Sequence, residues 1–171
     1  MNKEYCIISD SDIPSGSGGI NGERYTYGQL RHHPIIPEVF RRITNPVARQ
    51  MAEECNARNR QEGFQMYKLD GEYCFDGLRV GPKVKIPSKP ELLELLNGQA
   101  LNAANIRALT YTILREELAR VCGVSVQEAS DIIGSQLDCA PHEDISGYIF
   151  MVPNWAHKWF RHNGYVSRIK D

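Results

Sequence analysis

Apolar residues recur along this chain in two rhythms, one near 3.6 residues and one near 2, and the rhythms mark out the expected elements. The clearest helical pattern runs from about Asn102 to Val121. There Ile106, Leu109, Ile113, Leu114, Leu118 and Val121 form a broad stripe suited to a core-facing helix, and Gly123 ends it. A shorter helix is expected from Ser88 and Pro90 through Leu96, stopped by Asn97-Gly98. Another begins at Ser125, with Glu128 three residues on as a capping box, runs to about Ile133 and closes at Gly134. Upstream, a helical pattern starts near Pro37, is interrupted at Pro46, and resumes from Val47 to about Arg60 on good helix formers. Apolar and aromatic runs flank Asp70-Gly71 between Phe64 and Phe75. That dipeptide favours the turn joining antiparallel strands, so the spacing predicts a β-hairpin. Gly77, Gly81 and Pro82 are expected to end it, and Lys83 to Ile86 alternates like a short edge strand. The segment from Ser9 to Gly19 is rich in Gly, Ser and Asp and reads as a flexible loop.

The C-terminal stretch combines both rhythms with a cluster of histidines. His142-Glu143 is expected at the end of a short strand, Asp144 to Gly147 as a turn, and Tyr148 to Val152 as a second strand. Pro153 suits the first turn of a helix carrying Trp155, Ala156, His157, Trp159 and Phe160, and Asn163-Gly164 supplies a left-handed stop. The result is strand, turn, strand, helix. His157 and His162 are five residues apart, so on an ideal helix they point about 140° apart. They converge on one ion only if the helix ends or unwinds at His162.

Composition narrows the classes of function. At 171 residues, with 42% hydrophobic and 24% charged residues, the chain suits a globular domain that folds without disulfides or metal. The net charge of -1 argues against a protein that coats nucleic acid over a long footprint, while leaving room for a small site with local basic residues. Five cysteines are scattered without a Cys-x-x-Cys pair, which speaks against a zinc knuckle or disulfide scaffold and for buried thiols. The N-terminus has too short an apolar run for a signal peptide, and no segment approaches the roughly 20 apolar residues of a membrane span. Synthesis in the cytoplasm and no contact with membrane are therefore expected.

The residues His142-Glu143, then Val152-Pro153, His157, His162, Gly164, Val166 and Ser167 resemble the HNH/endonuclease VII superfamily. More narrowly they are similar to the nuclease domains at the C-termini of bacterial polymorphic toxins. The resemblance covers about the last fifth of the chain. Tyr165 stands where a second glycine is common, and Pro141 where many relatives carry a metal-ligating histidine or aspartate. The resemblance implies a metal-dependent endonuclease acting as an antibacterial toxin, with DNA rather than RNA as the expected substrate. In such sites a divalent cation polarises the scissile phosphate and a histidine near neutral pKa takes a proton from water. It implies His142 as general base, His157 and His162 as metal ligands, and Glu143 as a ligand or orienter of the histidine. Lys158, Arg161 and Arg168 are the residues expected to meet phosphates. One ion with imidazole ligands leaves Mg, Mn, Ni and Zn open. A cognate immunity protein, and delivery into a target cell as part of a larger toxin, follow from the same resemblance.

Blander readings stand beside these. A single histidine is more often a satisfied structural residue than a ligand, and Trp155, Trp159 and Phe160 suit the core better than base stacking. The alternative function is a catalytically degenerate or structural-zinc ββα module that binds nucleic acid or a protein partner. The expected fold is α+β: a mostly helical N-terminal portion with a β-hairpin over residues 1–135, packed against a C-terminal ββα-metal (HNH-like) unit over 136–171, as two portions or as one compact domain.

Overall fold

The computed structural model describes residues 3–4, 43–62, 67–69 and 72–159. The glycine-rich segment, the helical pattern near Pro37, and Arg161, His162, Asn163-Gly164 and Arg168 lie outside the described residues. The protein is mixed helix and sheet. In chain order the elements are β1 (Lys3–Glu4), α1 (Pro46–Glu62), β2 (Tyr67–Leu69), β3 (Glu72–Cys74), β4 (Val80–Lys85), α2 (Lys89–Leu96), α3 (Ala103–Cys122), α4 (Val126–Asp131), β5 (Cys139–Glu143), β6 (Tyr148–Pro153) and α5 (Asn154–Trp159). Among the described residues no helix is long and apolar enough to cross a membrane.

Local chemistry accounts for most boundaries. Ser88, Asn102 and Ser125 cap α2, α3 and α4 by accepting from the backbone N–H three residues on. Asn97 and Gly123 end α2 and α3 in the left-handed region. Pro46 begins a helix, and the pattern expected upstream of it lies outside the described residues. Asn45 caps α1 by accepting from Val47 and Ala48 N–H, and proline at the first helical position loses no hydrogen bond. The capping box at Ser125 is half formed: Ser125 Oγ accepts from Glu128 N–H, but the Glu128 carboxylate accepts from the Asn45 side chain at 2.8 Å instead of turning back. Gly134 does not close α4. The chain continues through a wide turn over Ile132–Gln136, with Leu137 N–H donating to Ile132. From that turn Gln136 Oε1 accepts from Thr44 and Asn45 N–H, tying it to the start of α1.

Two antiparallel sheets result. β1, β2 and β3 form one, with Leu69 opposite Glu72, so only two residues separate the paired positions, as the hairpin at Asp70-Gly71 requires. The other has the order β4-β6-β5. β4 is an edge strand as expected, but it begins at Val80 and includes Gly81 and Pro82. Between Val80 and Val84 its register against β6 shifts, and Gly81 takes a φ of 77°, which glycine adopts without strain. Pro141 and Pro153 also lie within strands, Pro141 on the second edge strand, where a missing donor is tolerated. Since β4 pairs with β6, the sheet crosses the expected boundary at residue 135.

α1, α3 and α5 pack on this sheet around one core that includes Phe75, Leu78, Leu92, Leu114, Leu118 and Phe150. On α3 the buried positions recur every fourth residue as Ile106, Thr110, Leu114 and Leu118, while Val121 is exposed. The cysteines at 55, 74 and 139 are buried free thiols and Cys122 is half-buried, as expected from their scatter.

Asn45 links α1 to α4 and caps α1 at once. Replacing it with alanine is expected to cost about 1–2 kcal/mol, read as a lower urea midpoint at unchanged slope. A parent-like midpoint would show that neither bond matters.

Candidate active site around His142

Strand alternation decides what surrounds His142. Side chains at 140, 142 and 144 share one face of β5 and its turn, and 141 and 143 share the other. His142 and Asp144 therefore meet, with Nε2 2.9 Å from Asp144 Oδ1. Glu143 points to the opposite face, where its Oε1 accepts from Thr110 Oγ of α3 at 2.8 Å. The structure thus does not bring Glu143 to His142; the carboxylate that orients the imidazole is Asp144.

Asp144 is fully buried, and each oxygen has two partners. Oδ1 accepts from His142 Nε2 and from Phe75 N–H at 2.9 Å; Oδ2 accepts from Cys74 Sγ–H and Ser146 N–H, both at 3.1 Å. The turn is closed by Gly147 N–H on Asp144 O and Asp144 N–H on Tyr148 O. Gly147 has a φ of 88°, the conformation this turn needs. Burial pushes the Asp144 pKa up, but the hydrogen bond and charge of His142, together with the Phe75 N–H, outweigh it and hold the carboxyl below its ordinary value. An ionised carboxylate has no proton to give, so in this pair His142 Nε2 is the donor.

Rings complete the setting. His142 is 2% exposed and makes edge-on contacts with Phe75, at 4.7 Å between centroids, and with Phe150, its cross-strand partner, at 5.8 Å. His157 approaches from α5, its ring centroid 5.2 Å from that of His142. Its position is fixed from below. Asn154, the first residue of α5, donates from its backbone to Asp138 O and from its side chain to Asp138 Oδ1, anchoring the helix to the residue before β5.

The neighbouring thiol is not a nucleophile. Burial first, and then the Asp144 charge, push Cys74 up to about 12. On the Glu143 side, burial and then the Glu143 charge raise Tyr111.

Of the residues singled out from the sequence, His142 and His157 are brought together. His162, Arg161 and Arg168 lie outside the described residues, as does the side chain of Lys158. Among the described residues no group of three His, Cys, Asp or Glu side chains is arranged to hold a metal ion. Asp144 and Cys74 were not anticipated. The period-2 rule, which puts residue 144 on the face of residue 142, was the available signal for Asp144; none existed for Cys74, seventy residues away. Comparisons with protein-family models, with curated proteins and with solved structures give no match.

Because the Asp144 pKa is depressed on folding, its contribution to stability is present above the ordinary aspartate value of 3.8 and is lost as pH falls through the lower folded value. Asp144→Asn is expected to destabilise by about 2–4 kcal/mol at neutral pH and to flatten the acid limb of stability below about pH 4. Urea melts over this range measure both; an unchanged acid limb would mean the carboxylate is not ionised in the fold.

Proposed function

We propose that the protein is a metal-dependent endonuclease of the HNH type, with DNA as the expected substrate, acting as a toxin domain in competition between bacteria. The observation that carries this reading is the meeting of the His142 and His157 rings, one held by a strand-end carboxylate and the other by the helix that follows the hairpin. The strand, turn, strand and helix from Cys139 to Trp159 have the order that the resemblance requires.

In this reading His142 accepts a proton from the attacking water, and Asp144 stabilises the imidazolium that forms. Asp144 is a positioning residue: its carboxylate holds Nε2 and so orients the ring. His157 is one ligand of the divalent ion, Mg, Mn, Ni or Zn, and His162 is the second by sequence. When bound there, such an ion supplies charge stabilisation at the scissile phosphate. Glu143, bonded to Thr110 on the other face, acts in this scheme through the strand it steadies. Lys158, Arg161 and Arg168 follow or overlap α5 in sequence and are assigned to substrate phosphates. A cognate immunity protein is the expected partner.

One feature favours a second reading. His142 is nearly inaccessible, as a histidine in a structural or degenerate ββα module would be. The two readings separate in one set of assays. The nuclease reading expects plasmid nicking with Mg, Mn or Ni, reduced by roughly 100-fold or more in His142→Ala. Asp144→Asn should lower the rate and move its pH profile. Survival of plasmid and RNA under every ion defeats the nuclease reading. A large rise in melting temperature with zinc alone, and no cleavage, would support the structural one.

A further inference from the structure

A second site is built on α1, away from the histidines and sharing no lining residue with them. A cleft of about 570 Å³ lies between α1, the start of β4 and the end of α3, a volume within the roughly 300–1,000 Å³ usual for small-molecule sites. Two rows of α1, each with a spacing of four residues, line it. One is apolar: Val47, Met51 and Cys55. The other is polar: Gln50, Glu54 and Arg58. Arg79 lines the cleft from the strand side.

The charges in this cleft do not cancel one another. Glu54 accepts from Gln50 Nε2 at 3.2 Å, not from either arginine. The Arg58 guanidinium donates instead to the Arg79 carbonyl, which also accepts from Cys55 Sγ–H at 3.7 Å. That bond sets Arg58 against the backbone of Arg79, so two cationic residues share one wall. Arg79 Nε is buried and has no acceptor among the described residues. A buried N–H donor left without an acceptor is costly. The five donors of a guanidinium lie in a plane and match an oxyanion, and with Arg58 and Arg79 lining one cleft two cations are available to a dianion.

We propose that this cleft binds a phosphomonoester on an apolar body, with Arg58 and Arg79 on the phosphate and the Val47–Met51 row against the body. The site is independent of the nuclease reading, and its test uses neither metal nor cleavage. Calorimetric titration in EDTA with phenyl phosphate, inorganic phosphate and phenol reads it directly. Phenyl phosphate should bind most tightly. Arg58→Gln and Arg79→Gln should each weaken it by roughly tenfold or more, the loss expected for a charge-assisted hydrogen bond. Glu54→Gln should tighten it, since a nearby negative charge is removed. Circular dichroism checks that each variant is folded; if Arg79→Gln is not, the opposite shifts of Arg58→Gln and Glu54→Gln still decide. Thymidine monophosphate and hexyl phosphate then separate a nucleotide from a lipid-like source. The proposal fails if none of these esters binds, if phenol binds as well as its phosphate, or if the arginine variants bind like the parent.

Discussion

A single buried carboxylate organises the middle of this protein. Asp144 accepts from a residue two positions earlier, a residue two positions later, and two residues about seventy positions earlier. A charge with no exposure is tolerable only when its lone pairs are filled, and all four partners are needed to fill them. The requirement runs in both directions. Cys74 and Phe75 must be delivered by the end of β3, so the small sheet is tied to the turn of the large one. His142 must lie on the same face of β5, so the strand register is fixed as well, because a slip of one residue would exchange His142 for Glu143.

The neighbouring residue shows the same logic on the other face. Glu143 is 6% exposed, and Thr110 occupies the polar position in an otherwise apolar row of α3 to receive it. Two acidic side chains in succession thus hold the β5–β6 hairpin from opposite sides, one to Phe75 and Cys74, the other to α3. Asp144 holds the His142 Nε2, and Phe75 and Phe150 pack edge-on against the ring. His157 borders the same ring.

The cleft on α1 follows a different principle. There the Arg58 guanidinium donates to a backbone carbonyl, while Glu54 is held by Gln50. The edge strand contributes through its irregularity: the bulge at Gly81 brings β4 against Met51, where a Cβ on residue 81 would collide with the Met51 methyl.

The sequence by itself determined the local features. Caps at Ser88, Asn102 and Ser125, stops at Asn97 and Gly123, the hairpin strands around Asp70-Gly71 and the order of strand, turn, strand and helix after Cys139 are short-range effects of side chains on their own backbone. Where two local readings competed, the sequence left the choice open. Pro46 suits a helix start as well as a break, and Gly134 suits a stop as well as a wide turn; Asn45 and Gln136, joined across some ninety residues, resolved both. The pairing of β4 with β6, and with it the merging of the two expected portions in one sheet, rests on contacts too distant for any local pattern to encode. The site shows the division most clearly. His142 was visible as a residue type in a strand, but its partner was set by alternation and by a turn. Only the folded chain, by closing Cys74 and Phe75 over Asp144, decided that the orienting carboxylate is Asp144 and not Glu143.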